Sequence, residues 1–368
     1  MSSPLPPTYW DYLKLEDLLQ LQSGLEEHDT DLAPDELHFI VVHQVYELWF
    51  KLSLRELRLA RDWLAAPRVP EETVPQVVHH LRRVNEILKL AADQFRVMET
   101  LAPQDFLDFR DKLVPSSGFQ SFQMREIEIV LGLLESQRTQ IGGTDPLDHI
   151  RTVASTSPTG KQAWGRLEAA RKEKNLRVAL DDWLHRTPIQ GSTPLAAGDA
   201  LAVEQFLHEY LAAYAALQRV QTQQLVRSGM GTAEAAERRA AADLQRATAF
   251  VNAADVAAAD RTRVQRIRAG ILFIESYRDL PLLAWPRLLV DTIVELEELL
   301  VLWRTRHARM VERIIGRRVG TGGSPGVEYL DQTLQYRIFV DLWSARTMLL
   351  PRSALPALRN PGFYGFAA

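Results

Sequence analysis

"FIVVHQVYELWF", residues 39–50, is an almost wholly apolar and aromatic run with a single imidazole in its middle. Counted at helical spacing, Phe39, His43, Tyr46 and Phe50 share one face, with Val42 and Trp49 beside them. The spacing predicts a helix whose buried stripe carries a titratable group. His43 then has two compatible uses: a core histidine hydrogen-bonded to a carbonyl, or a functional group facing a pocket.

The same period of about 3.6 residues continues on both sides of this stretch. It predicts helices over roughly 11–22, 35–65, 73–97, 103–113, 119–138, 160–185, 200–228, 232–277, 283–316 and 326–350. Alternating strand patterns are hard to find, so the expected fold is all-α: a large bundle with its apolar stripes turned inward. Loops are marked by "APRVPEE" (66–72), "IGGTDP" (141–146), "RTPIQGSTP" (186–194), "GRRVGTGGSPG" (316–326) and the Pro-rich tail from 351. Ala-rich stretches set 195–262 apart as a helical excursion on a single domain spanning 1–368.

With 46% hydrophobic and 24% charged residues the 368-residue chain can bury a large core. Its formal charge of −4, without a basic block, lacks the footprint of a nucleic-acid or membrane binder. No apolar run reaches the length of a membrane span, and no signal peptide precedes "YWDYLKLEDLL", so a cytoplasmic protein is expected. The absence of cysteine removes thiolate catalysis, disulfides, iron–sulfur clusters and covalently attached c-type haem together.

Three further elements carry candidate chemistry. In "LWRTRHARMVERIIG" (302–316) Trp303, His307, Met310, Val311 and Ile314 form an apolar face, and the arginines spread over the remainder. His307 is either another core histidine or an axial haem ligand. The glycine-rich "GTGGSPG" (320–326) that follows lacks the Lys-Ser/Thr pair of a phosphate loop. It can cap the helix or fold over a ligand with its backbone N–H groups exposed. In "DFLDFRDKLVPSSGFQSFQ" (105–123) Arg110 either pairs with Asp108 and Asp111 on the surface or grips a carboxylate with its planar fork. Glu295, Glu297 and Glu298 are expected on solvated faces or in salt-bridge networks, and His79–His80 has no partner ligand at metal spacing.

The motifs "YWDYLKLEDLLQLQ", "DELHFIVVHQVYELWFKL", "FLDFRDKLVPSSGFQSFQMREIE", "WLHRTP", "YRDLP", "WRTRHARMVERIIGRRVGTGGSPG", "FVDLW" and "LLPR" run in the order and spacing of a known family. Over most of its length the chain resembles the haem-dependent tryptophan 2,3-dioxygenases. The resemblance implies insertion of both atoms of O2 across the indole C2–C3 bond of L-tryptophan, giving N-formyl-L-kynurenine in tryptophan catabolism. It implies a noncovalent b-type haem with His307 as proximal iron ligand and His43 as the distal group that accepts the indole N–H. Phe39 and Phe106 match positions that sandwich the indole. Arg110 matches the carboxylate clamp, with Thr321 and the glycine loop around the amino-acid end. Leu113 matches a further substrate contact and Ser117 a hydroxyl near haem and substrate. Tyr9 and Tyr12, with Leu13, match a segment that completes a neighbouring subunit's pocket in a homotetramer. Pro325 stands where the family usually has a second Ser, and His38 where an aliphatic residue is common. Two alternatives accompany this expectation. One is a haem monooxygenase acting on a tryptophan derivative to give an oxindole-type product. The other is a structural bundle with a degenerate site, against which His43, Arg110, His307 and Thr321 stand together.

Overall fold

The computed structural model describes residues 6–140, 146–323 and 325–365. Residues 141–145 of the "IGGTDP" loop, Ser324 of the glycine loop and the last three residues of the tail lie outside them. The helices are α1 (Tyr9–Leu13), α2 (Leu15–Leu18), α3 (Glu36–Ala65), α4 (Thr73–Met98), α5 (Pro103–Arg110), α6 (Phe122–Leu131), α7 (Pro146–Ala154), α8 (Pro158–Lys172), α9 (Leu176–His185), α10 (Asp199–Arg227), α11 (Ala233–Val251), α12 (Arg261–Ser276), α13 (Ala284–Ile315), α14 (Val327–Thr333) and α15 (Val340–Thr347). Among the described residues there is no β-strand, as the all-α expectation required. No helix in them is long and apolar enough to cross a membrane.

The long helices fall where the periodicity puts them, but five expected segments are broken, each at a physical punctuation mark. The N-terminal one divides at Lys14, which takes a left-handed φ of 54° between α1 and α2. The segment at 119–138 stops at Gly132, whose φ of 107° suits glycine. A Cβ there would lie 2.8 Å from Asn175 Oδ1 and 2.9 Å from Arg177 Cβ, so the end of α6 packs directly on the start of α9. Asn175 splits 160–185 by capping α9, its Oδ1 accepting from the Val178 N–H at 2.9 Å. The segment at 326–350 becomes the short α14 and α15. The one at 232–277 breaks where buried Arg268 of α12 reaches back to the end of α11. Arg268 donates to the Phe250 carbonyl at 2.8 Å, to both oxygens of Asp255 and to both of Asp341 on α15. The helix α7 had no expected counterpart.

The centre of the bundle is α4, packed against both α3 and α13. Leu57, Leu64, Leu81 and Phe95 are fully buried between these helices, each contributing about 1.5–3 kcal/mol by the area it removes from water. Inside this core the Tyr46 hydroxyl donates to the Ala91 carbonyl at 2.9 Å and Asn85 Nδ2 donates to the Thr292 carbonyl at 3.1 Å, while Ser53 Oγ and Asn85 Oδ1 have no partner among the described residues. Glu297, expected on a solvated face, is buried instead. Its carboxylate accepts from the Ile338 and Phe339 amides and from Trp343 Nε1, holding the entry of α15. Glu295 matches expectation, bridging to Lys89 at 2.9 Å.

The deepest charge is Glu128 on α6. It accepts from Arg125 Nη1 at 3.0 and 3.1 Å, from Arg304 Nη2 of α13 at 2.8 Å and from Arg138. Burial by itself pushes the Glu128 carboxyl up, but Arg125, Arg304 and Arg138 together outweigh it and hold it down at about 2. Glu128→Ala leaves three buried guanidiniums without their acceptor and is expected to cost about 3–5 kcal/mol in chemical denaturation. Because the folded-state value is depressed, this contribution is complete above the unfolded carboxyl range and is lost as pH falls through it toward 2. Wild-type stability measured against pH should show this acid limb, and the variant should lack it.

Candidate active site

One cavity collects residues from α3, α4, α5, α6, α13, α14 and the loops between them. Its empty space, open mouth included, is about 1440 Å³. Phe39, His43, Phe106, Arg110, Ser117, Thr321 and His307 all line it, although the first and last of them in sequence, Phe39 and Thr321, lie far apart in the chain. None of its lining residues comes from 195–262.

The two histidines sit differently. His43 lies one turn after Phe39 on α3, and its Nδ1 is 2.7 Å from the Phe39 carbonyl. A carbonyl only accepts, so Nδ1 carries the proton and Nε2 is left as an acceptor. Burial lowers the His43 imidazolium below its usual range, against the opposing pull of the Phe39 carbonyl and the Glu47 charge. The carbonyl contact of a core histidine and the pocket position of a functional one therefore coexist. His307 packs in a triangle with the rings of Phe95 and Trp303, whose centroids are 5.6 and 5.2 Å from its own. Among the described residues no hydrogen bond reaches either of its nitrogens. Burial, reinforced by His43, Arg304 and Arg125, pushes its imidazolium down to about 4, so a free nitrogen lone pair is maintained.

Arg110 makes no ion pair with Asp108 or Asp111. It turns to the cavity and donates to the Val319 carbonyl at 2.6 Å, which ties α5 to the loop after α13. The Thr321 hydroxyl donates to the Ser116 carbonyl at 2.6 Å, and a Cβ on Gly322 would lie 2.7 Å from Ser117 Cβ. The glycine loop is thus laid against the turn that follows Arg110, and the two make one rim. Gly316 ends α13 with φ 59°. Gly326, at φ 64°, brings its Cα so near the Arg318 carbonyl that a Cβ would lie 2.6 Å from that oxygen.

Phe39 and Phe106 have ring centroids 5.8 Å apart at 36°. Two plates holding a third ring need roughly 7 Å, twice a carbon contact distance, so these rings form one aromatic wall. Leu113 does not line the cavity; it packs half-buried in the 3₁₀ turn after Arg110. Tyr9 and Tyr12 are 69% and 77% exposed on α1 and line no part of this chain's own cavity.

Sequence reasoning missed Glu47, Arg125, Arg304 and Tyr329, which also line the cavity. Arg304 was expected on the outer face of its helix. It is buried because Glu128 draws it inward and the Tyr336 ring lies under its guanidinium at 4.7 Å. Glu47 had a signal: it falls one turn after His43 on the same face. His80 lies elsewhere, bound to Glu56 at 2.5 Å, and among the described residues no cluster of three or more His, Cys, Asp or Glu could hold a metal ion.

The family model described as tryptophan 2,3-dioxygenase matches residues 3–349. The chain belongs to the tryptophan 2,3-dioxygenase family. Relatives agree along the whole length. The chain is 47% identical to "Tryptophan 2,3-dioxygenase 2" of Ralstonia nicotianae over 98% of both proteins. It is 44% identical to the tryptophan 2,3-dioxygenase of Sorangium cellulosum, over 97% of this chain and 87% of that one. With that of Dictyostelium discoideum it shares 34% identity over 95% and 85%.

For this member of the tryptophan 2,3-dioxygenase family the rim is testable apart from any ligand. Gly326→Ala forces a Cβ against a backbone oxygen at a φ that alanine rarely adopts. The Gly323 amide, which donates to the Gly320 carbonyl at 2.9 Å, should then exchange its hydrogen several-fold faster, read by amide exchange.

Proposed function

We propose that this protein is a haem-dependent tryptophan 2,3-dioxygenase that opens the indole ring of L-tryptophan with O2, both oxygen atoms entering N-formyl-L-kynurenine. The observation that carries this reading is the convergence of His43, Arg110, His307 and Thr321 on one cavity. Relatives named as dioxygenases favour ring cleavage over the monooxygenation alternative. The catalytic domain is then one helical unit, to which the α10–α11 hairpin adds no lining residue.

The residues present fit a b-type haem. Such a group needs an unprotonated imidazole for its iron, apolar walls, and donors for two carboxylates. Among the described residues no hydrogen bond reaches the His307 nitrogens, and Trp303 Nε1 of the same lining is a buried donor without a partner there. Arg125 and Arg304 supply guanidinium groups, with Arg125 Nε still unpartnered. Met310, Val311 and Ile314 provide the apolar surface beside His307. When bound, the haem supplies the iron centre at which O2 is activated, with His307 as the protein ligand.

The chain's own groups then hold the substrate. The Arg110 fork receives the carboxylate by parallel charge-assisted bonds. Thr321 and the rim close on the amino-acid end. The indole lies along the Phe39–Phe106 wall and gives its N–H to His43 Nε2, which fixes the ring's orientation. Ser117 borders the same space. The apolar lining keeps water away from the reacting ring. A homotetramer, in which the exposed α1 aromatics of one copy border a neighbour's cavity, completes the proposal.

Protein produced with ample haem should show a Soret band whose pigment is extracted by acid acetone, and His307→Ala should lose the pigment. Colourless wild-type protein removes the haem assignment. Arg110→Ala should weaken tryptophan binding by on the order of 2–5 kcal/mol while haem content is kept, and Lys should restore little of it because it lacks the fork. Turnover of L-tryptophan under ¹⁸O2 should give N-formylkynurenine with two labels; a singly labelled oxindole or hydroxylated product points to the monooxygenase instead.

A further inference from the structure

Glu47 is the one carboxylate among the described residues lining the cavity, whose charged groups are otherwise the guanidiniums of Arg110, Arg125 and Arg304. It makes no ion pair with any of them, since Arg125 and Arg304 are engaged by Glu128 and Arg110 by the Val319 carbonyl. Its position is nevertheless fixed. Gln123 Nε2 of α6 donates to the Glu47 carbonyl at 2.7 Å and to its Oε2 at 2.8 Å.

Phe39, His43 and Glu47 occupy three successive turns of one face of α3. The amino-acid end of the cavity lies at the first of these turns, where Phe39 meets Phe106 and Phe109 just before Arg110. Glu47 is eight residues further on, about 12 Å along the axis. That placement takes it out of reach of an ammonium held beside Arg110 and leaves His43 as its neighbour. The charged groups around His43 are then Glu47 and His38 on α3, Arg110 on α5, Arg125 on α6, and Arg304 and His307 on α13. Glu47 alone among them is negative.

We infer that Glu47 is a positioning residue that acts through His43: its fixed carboxylate strengthens Nε2 as an acceptor and so sharpens recognition of the indole N–H. The inference rests on the proposed role of His43. A neutral imidazole accepts more strongly as it becomes more basic, and burial works in the opposite direction at this site. The Glu47 charge offsets that burial.

Glu47→Gln keeps an oxygen for Gln123 and removes the charge; Glu47→Asp keeps the charge. The test measures binding of L-tryptophan, and of the analogue with sulfur in place of the indole N–H, to the ferrous holoenzyme across pH. The wild-type enzyme should prefer tryptophan. Glu47→Gln should weaken tryptophan by about three- to tenfold, the weakening of one hydrogen bond, and the analogue by less than about twofold. Without the negative charge the imidazolium is further disfavoured, so the acid limb of tryptophan binding should move to lower pH. Glu47→Asp should restore much of the preference. Equal weakening of both ligands, or an unchanged preference and acid limb, overturns the role of Glu47 while leaving that of His43 intact. A wild-type enzyme that does not distinguish the two ligands removes His43 from N–H recognition, and this inference with it.

Discussion

The structure depends on a carboxylate that cannot be left alone. Glu128 lies deep in the bundle, and taking such a charge out of water costs several kcal/mol before any partner is counted. The chain meets that cost with three arginines, one from the same helix, one from the following loop and one from α13. The consequence reaches beyond local pairing. Arg125 and Arg304 are pulled to the inner side of α6 and α13, where both border the cavity. Three guanidiniums around one carboxylate leave an excess of positive charge, and two of the three line the cavity. The same cluster that joins two helices thereby gives the cavity its polarity.

The two histidines show how one side chain serves two purposes by context. Both are buried enough for their imidazolium forms to be disfavoured. His43 is tied through Nδ1 to a carbonyl of its own helix, which settles its tautomer and turns it into a directed acceptor. His307 packs against two rings, and among the described residues no hydrogen bond reaches its nitrogens, so a lone pair stays open to the cavity. The rim is built on the same economy of contacts. Single hydrogen bonds from Arg110 and Thr321 and one close glycine approach join segments more than 200 residues apart. Such a rim is ordered by few contacts.

Much of this was legible in the sequence. The 3.6-residue stripe through His43 determined an inward-facing helix, because apolar residues at that spacing can share one buried face in no other regular structure. The stripe through Trp303 and His307 did the same for α13. Successive motifs named Arg110, Ser117 and Thr321 before any of them could be seen to meet. Where helices end was less legible. The left-handed turn at Lys14 and the break held by Arg268 depend on contacts with distant residues, which local propensity does not carry.

What the tertiary structure alone decided is the pairing of polar groups. From sequence, Arg304 and Glu297 read as outward charges, and Arg110 as either a partner for its adjacent aspartates or a carboxylate clamp. Each found a distant partner instead: Glu128, the backbone entering α15, and the Val319 carbonyl. Glu47 took its place beside His43 with no mark except its spacing. Hydrophobic periodicity is written along the chain because burial acts on every residue of a face at once. A buried charge is stabilised by one partner in one geometry, and that partner is fixed only when helices far apart in sequence come to rest against each other.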